Sequence, residues 1–238
     1  MDPYGERVAR MTPEERRVAI VTAAQRVMVR RGIAATTVRD VAAEMGTSSG
    51  LIHHYVTSMD ELLAEAFDKV ASGDLERTVR AIGVDGDPVE RLSRFFASYH
   101  RADEDWAVQL WLDAWAEAAR RPALQRTSRR LNEAWQALVA DLVRDGVRAG
   151  VMTCRDPDAV AWRIISLLDG LALQVVAHGD LVARDDVLRW AVESAEAELR
   201  LEPGSLAGGR PPTVVVTRCG GTDRQDDAPH NRERSDDD

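Results

Sequence analysis

Apolar residues recur along this chain at intervals of three and four, not two. Ile20, Ala23 and Val27, then Val38, Val41, Ala42 and Met45, then Leu62, Leu63, Ala66, Phe67 and Val70 each trace one helix face. Val160, Ile164, Leu167, Leu168, Leu171 and Val175 do so over the longest stretch, and alternating strand patterns are nearly absent. The helix starts are legible too. Thr12-Pro13-Glu14-Glu15, Ser58-Met59-Asp60-Glu61 and Asp87-Pro88-Val89-Glu90 each place a capping oxygen first and a Glu three positions on. Asp156-Pro157, and Thr37 with Asp40, repeat the device in shorter form. Together these predict an all-α fold of nine helices, over 13–31, 38–45, 49–55, 59–82, 88–101, 105–120, 123–149, 157–177 and 185–201. Gly32, Gly46, Gly150 and Gly179 fall just past four of these ends, where a left-handed residue stops a helix. From 202 onward the periodicity ends, Pro, Gly, Asp and Arg accumulate, and Val214 to Val216 is the only apolar run, so 202–238 is expected to be a disordered tail.

The two short helices carry readable chemistry. They are joined by Gly46-Thr47-Ser48, and Val38, Val41, Ala42 and Met45 of one converge with Leu51, Ile52 and Tyr55 of the other, as in a helix-turn-helix. Ala42 is small enough for a close crossing, and Gly46 can take a positive φ in the turn. The second helix shows a polar face of Ser48, Ser49, Gly50, His53 and His54. Small hydroxyl residues at its start let its N-terminus enter the major groove, with amides meeting phosphate and side chains meeting base edges. In an all-α protein such a pair is sometimes mere packing, and taken alone it leaves both readings open.

Thr36-Thr37-Val38-Arg39-Asp40-Val41-Ala42, Gly46-Thr47-Ser48-Ser49-Gly50-Leu51-Ile52-His53-His54-Tyr55 and Leu62-Leu63 resemble the N-terminal DNA-binding domain of TetR-family transcriptional regulators. Gly50-Leu51-Ile52-x-His54-Tyr55, with the stretch 111–173, resembles the branch containing the choline-responsive BetI-type repressors. The resemblance implies a homodimer on a near-palindromic double-stranded DNA operator, released by a small-molecule effector bound in a C-terminal helical domain. Activation by the same architecture stays open, because the sign depends on where the operator lies. The implied organisation is a flexible arm over 1–12, a DNA-binding domain over 13–57, a ligand-binding and dimerisation domain over 58–201, and the tail. Thr37 and Tyr55 match positions that contact phosphate in the family, while Thr47, Ser48, Ser49, His53 and His54 match those that approach bases. Thr36, Arg39 and Gly50 complete the expected DNA-binding set. Family members usually carry an aromatic residue where Val56 stands and a lysine where Met59 stands. Affinity is therefore expected to rest on Arg39 and on Arg7, Arg10, Arg16 and Arg17.

In the body, Trp106, Trp111 and Trp115 lie on one predicted helix, at spacings of five and four that cannot all share one stripe. With Phe96, Tyr99, His100, Trp135 and the carboxylates Asp113, Glu117 and Asp169, they form the expected ligand-binding set. Aromatic faces with carboxylates suit a cation, so a quaternary amine or polyamine is the expected effector, with a hydrophobic or aromatic molecule as the rival. The eighth helix is apolar along one face, and Gly170 with Ala172 permits close approach. Trp162, Ile165, Leu168, Gly170 and Ala172, with Leu188, Val192 and Leu199 of the last helix, are the expected dimer interface, internal packing being the alternative. The long helix over 59–82, starting beside the recognition helix, is the expected lever between effector and DNA.

Composition narrows the remaining classes. The 31 basic residues against 40 acidic, net charge -9, exclude a polybasic tail, although residues 1–59 hold eight arginines against six acids. Cys154 and Cys219 stand far apart without metal-site spacing, and the adjacent His53 and His54 point about 100° apart on a helix, so no metal or cofactor is expected. The apolar run after Arg16-Arg17 breaks at Gln25-Arg26, too soon for a signal peptide, and Arg163, Asp169 and Gln174 interrupt the best membrane candidate. A cytoplasmic protein with no membrane partner is expected. The competing class, an all-α enzyme or carrier, lacks support: no Gly-rich phosphate loop, no His-Glu-x-x-His, no nucleophile elbow and no Cys-His arrangement occurs.

Overall fold

The computed structural model describes residues 11–99 and 105–208, and among them the regular structure is entirely helical. In chain order the helices are α1 (Pro13–Arg31), α2 (Val38–Glu44), α3 (Ser49–Tyr55), α4 (Met59–Ile82), α5 (Pro88–Tyr99), α6 (Asp105–Ala118), α7 (Pro122–Arg148), α8 (Pro157–His178) and α9 (Arg184–Leu199), with a 3₁₀ turn at Gly179–Leu181. The capping signals explain the starts. The Thr12 hydroxyl accepts from Glu15 N–H while the Glu15 carboxylate accepts from Thr12 N–H, a complete capping box, and Thr37 with Asp40 forms a second. Asp156 accepts from Ala159 N–H, and Asp87 accepts from Val89 and Glu90 N–H.

One apolar core fills the head. Ile20, Ala24 and Met28 of α1 meet Val41 and Ala42 of α2 and Ile52 of α3, with Met59 packed against them. The head is not closed at residue 57. Its core runs on through Leu62, Leu63 and Phe67 of α4 to Leu110 and Ala114 of α6 and Leu124 and Leu131 of α7. One helix of 19 residues and two of 7 bury too little apolar surface by themselves, so the head borrows the near ends of the body's helices. A second core gathers Ile82, Leu92, Phe95, Phe96, Val139, Leu142, Ile164, Leu168 and Leu199 around α5, α7, α8 and α9. Because α4 contributes to both cores, it is a strut shared by head and body.

Two expectations shift at the C-terminal side. Helix α9 stops at Leu199, where Arg200 turns left-handed with φ 56, and the chain then folds back instead of leaving at 202. Glu196, 3% exposed, accepts from Gly204 N–H at 2.9 Å and Leu206 N–H at 2.7 Å, and Ser93 donates to the Leu206 carbonyl at 2.9 Å. Leu206 itself is buried. The polarity of 202–208 hides this anchor, because one leucine and a buried carboxylate do the holding; residues 209–238, including Val214 to Val216, lie outside the described residues. Helix α8 is long and apolar enough to cross a membrane by length and composition. Arg163, Asp169 and Gln174 therefore do not interrupt its apolar stretch as expected. Val160, Ala161, Ile164, Ile165, Leu168 and Ala172 are nevertheless buried in the body, as in the core helix of a compact domain.

Candidate functional site

The head presents α3 as the sequence pattern requires. Ser48 caps it, accepting from Leu51 N–H at 3.4 Å, and Gly46 makes the turn with φ 63. Ser48, Gly50, His53 and His54 are exposed, and Thr47 and Ser49 are half-buried. The His54 ring stands edge-on to Tyr55 at 4.9 Å, and Tyr55 packs partly against the head core. Thr37 is exposed but engaged in its capping box, its hydroxyl donating to Asp40 at 2.6 Å. Thr36 does not belong to this surface: it is 4% exposed and donates to the Gly32 carbonyl at 2.8 Å, fixing the loop before α2.

The head's cations are mostly engaged. Arg17 pairs with Glu65 at 2.5 Å and donates to the Tyr55 carbonyl, Arg16 lies over the Tyr55 ring, Arg30 pairs with Glu44, and Arg31 pairs with Asp40. Arg39 is exposed and forms no ion pair with any described residue, which leaves it available to a phosphate. Met59, where the resemblance leads one to expect lysine, packs against the head core. Arg7 and Arg10 lie outside the described residues.

In the body, a chamber of about 100 Å³ opens between α4, α5, α6, α7 and α8. Tyr99, Trp111, Trp115, Trp135 and Asp169 line it, so five of the expected ligand residues come together. Trp111 stands edge-on to Phe67 at 5.0 Å and 5.5 Å from Trp115, joining the chamber wall to the head core. The Tyr99 hydroxyl donates to Asp169 at 2.8 Å. Burial pushes the Asp169 carboxyl up to about 6, against the lowering effect of that hydrogen bond. Burial, and then the Asp169 charge, drives the Tyr99 phenol well above its ordinary value.

The other expected ligand residues are elsewhere. Residues two apart on a helix point roughly 200° apart, so Asp113 cannot share the face of Trp111 and Trp115. Asp113 accepts instead from Ile33 N–H at 3.2 Å and from Gln109 at 3.0 Å, under the loop between α1 and α2. Glu117 binds Arg121 at 2.9 Å, and Arg121 binds Asp60 at the start of α4 at 2.5 Å. Trp106 is 37% exposed on that same head-facing side of α6. Phe96 turns to the opposite side of α5, beneath the 202–208 segment, and leaves its neighbour Phe95 in the chamber wall. His100 lies outside the described residues. Asp74, Thr78, Ser98, Asn132 and Arg184 also line the chamber and were not expected. Asp74 and Thr78 carried a signal, a four-residue spacing on α4 that puts both on the face turned toward α6.

The expected dimer set divides the same way. Ile165, Leu168, Ala172, Val192 and Leu199 are buried within the protomer, because they lie on the inward face that the body core needs, and Leu188 is half-buried beside them. The outward face holds Trp162 and Gly170, with Ser166, Leu173 and Ala177 continuing the stripe on α8 and Trp190, Ser194 and Ala197 on α9. Nothing lies within 4 Å of where a Cβ on Gly170 would point.

Comparison with known proteins bears on both ends of the chain. Residues 20–66 match the model for bacterial regulatory proteins of the tetR family, and residues 88–200 match that for the BetI-type transcriptional repressor C-terminal domain. The HTH-type transcriptional regulator BetI of Agrobacterium fabrum is 33% identical over 168 residues, 67% of this chain and 76% of that one. The regulator PksA of Bacillus subtilis is 28% identical over 188 residues, covering 77% and 90%. Among solved structures, a Saccharomonospora viridis transcriptional regulator in complex with choline superposes with a TM-score of 0.67 at 27% identity, covering 75% of this chain and 94% of that one.

Proposed function

This chain belongs to the TetR family of helix-turn-helix transcriptional regulators, with a body of the BetI repressor type, and on that premise we propose that it grips a near-palindromic operator as a homodimer and releases it when a small organic cation enters the chamber. The effector class rests on one observation: the Asp169 carboxylate shares the chamber wall with the rings of Tyr99, Trp111, Trp115 and Trp135, while Asp74, the second carboxylate of that wall, is already paired with Arg77, and Arg184 borders the chamber. Such a site attracts a quaternary or protonated amine through ring faces and charge together.

The homodimer is supported by the outward stripe of α8 and α9, which pairs Trp162, Leu173 and Trp190 with small residues and would be left in water in a monomer. A two-fold axis there would set two α3 helices on half-sites about one turn, 34 to 36 Å, apart. Two links join chamber to head. Helix α4 runs from the Ser58 cap near α3 to Asp74 and Thr78, and α6 faces the chamber with Trp111 and Trp115 while Asp113 and Glu117 hold the head. Release requires the cation to bind the operator-free form more tightly, by about 1–3 kcal/mol in typical cases.

The test selects an operator from randomised duplex DNA and measures its affinity with and without saturating choline or a polyamine. The expected result is a near-palindrome whose affinity drops roughly 5–150-fold with the cation. A cation that binds measurably yet leaves operator affinity unchanged rules out the release mechanism.

A further inference from the structure

The aromatic chamber does not end at Tyr99. A second, smaller hollow of about 40 Å³ lies behind it, walled by Leu168, Ala172, Val175 and Val176 of α8 and Val187 and Leu188 of α9. Tyr99, Val108 and Arg184 line both spaces, so the two hollows abut and share a wall. Their chemistry differs: the Asp74 and Asp169 carboxylates and three indoles line the first, aliphatic side chains with no carboxylate dominate the second, and the Arg184 guanidinium borders both. Tyr99 is held in the shared wall by its hydrogen bond to Asp169, which orients the carboxylate at the boundary. A headgroup seated on Asp169 therefore has the aliphatic hollow beside it.

Building on the cationic reading above, we propose that the effector is an amphiphilic cation, an ammonium head carrying a short hydrocarbon chain, with the head among the tryptophans and the chain in the aliphatic hollow between α8 and α9. Ala172 matters to this fit, because its small side chain keeps the hollow open where α8 passes beneath α9. The chain length that the hollow accepts is a few carbons, given its small volume.

The experiment titrates the full-length protein by calorimetry with tetramethylammonium, choline and the butyl-, hexyl- and octyl-trimethylammonium ions below their micelle-forming concentrations, with hexanol as the uncharged control. Affinity is expected to rise about fourfold per methylene over the first few carbons and then level off. Val176→Phe, or Ala172→Phe if the first fails to fold, is expected to flatten this rise and leave tetramethylammonium binding unchanged. Length-independent affinity in the unaltered protein overturns the amphiphile and leaves the cationic reading intact. A rise that persists in the filled variants puts the chain elsewhere and overturns the assignment of this hollow. Hexanol binding without any ammonium binding overturns the cationic reading itself, and the proposal with it.

Discussion

The seam between head and body and the Asp169 corner of the chamber beneath it treat carboxylates in opposite ways. At the seam, charge is matched: Asp60 and Glu117 share Arg121, Glu61 meets Arg126, Asp68 meets Arg130, and Asp113 takes the Ile33 amide and the Gln109 side chain. In the chamber, Asp74 pairs with Arg77 at 3.1 Å, whereas Asp169 takes, among the described residues, a hydrogen bond from the Tyr99 hydroxyl alone, and burial raises its proton affinity. Matched groups fix geometry, and an under-matched buried acid stores a preference for an incoming cation.

The largest effect that separates the two regions should come from Asp169→Asn. Removing the Asp169 charge is expected to lower cation affinity about 100-fold while leaving effector-free operator binding unchanged, read by calorimetry and by a gel-shift titration. Equal loss from Asp113→Asn would erase the distinction, since Asp113 is expected to leave cation affinity within about twofold and to cost the fold roughly 1 kcal/mol through the weakened Ile33 amide contact.

Next in size is Gly32→Ala. Gly32 has φ 80 and ψ 162, a region open essentially to glycine, and a Cβ there would stand 2.7 Å from the Asp113 carboxylate. A loss of about 2 kcal/mol in unfolding free energy is expected, with cation affinity retained; an unaltered melting curve would show that the seam yields freely.

The pH dependence follows from Asp169, whose folded value of about 6 exceeds the ordinary 3.8. The folded state holds the proton more tightly, so this group's stabilising contribution is present below about pH 4 and is lost as pH rises through about 6. Cation affinity runs the other way, falling as pH drops through 6 because the neutral acid gives up its attraction. Calorimetry at pH 5 and pH 8 checks the sign, and in Asp169→Asn both dependences should vanish.

On the head, Arg39→Ala is expected to weaken operator binding about tenfold and to lower the salt slope by about 1, since Arg39 has no described ion-pair partner to lose. The smallest effect belongs to Trp106→Phe, which should leave cation affinity within about twofold because Trp106 lies outside the chamber wall.

Helix identity and the capping devices are legible residue by residue. Thr12 with Glu15 and Thr37 with Asp40 are local devices, complete within four residues, and the structure realises both. The polar face of α3 is equally local, since seven residues between a cap and a turn decide it. What could not be read was which side of a long helix meets which neighbour. On α6 the tryptophans and carboxylates alternate around the cylinder, so proximity in sequence suggested one cluster where the helix makes two. On α8 both faces are apolar, and pattern alone does not tell the inward stripe of Ile165, Leu168 and Ala172 from the outward stripe of Trp162, Gly170 and Leu173.

The sequence by itself determined the helices, their caps, the turn before α3 and the polar residues that α3 displays, because these depend on interactions spanning one or two turns. Tertiary structure alone decided that Asp113 belongs to the seam and Asp169 to the chamber, that Glu196 anchors 202–208, and that an aliphatic hollow adjoins the tryptophans. Each of those outcomes depends on the rotation of one helix against another. That rotation is set by packing summed over both cores, and no local window of the chain contains it.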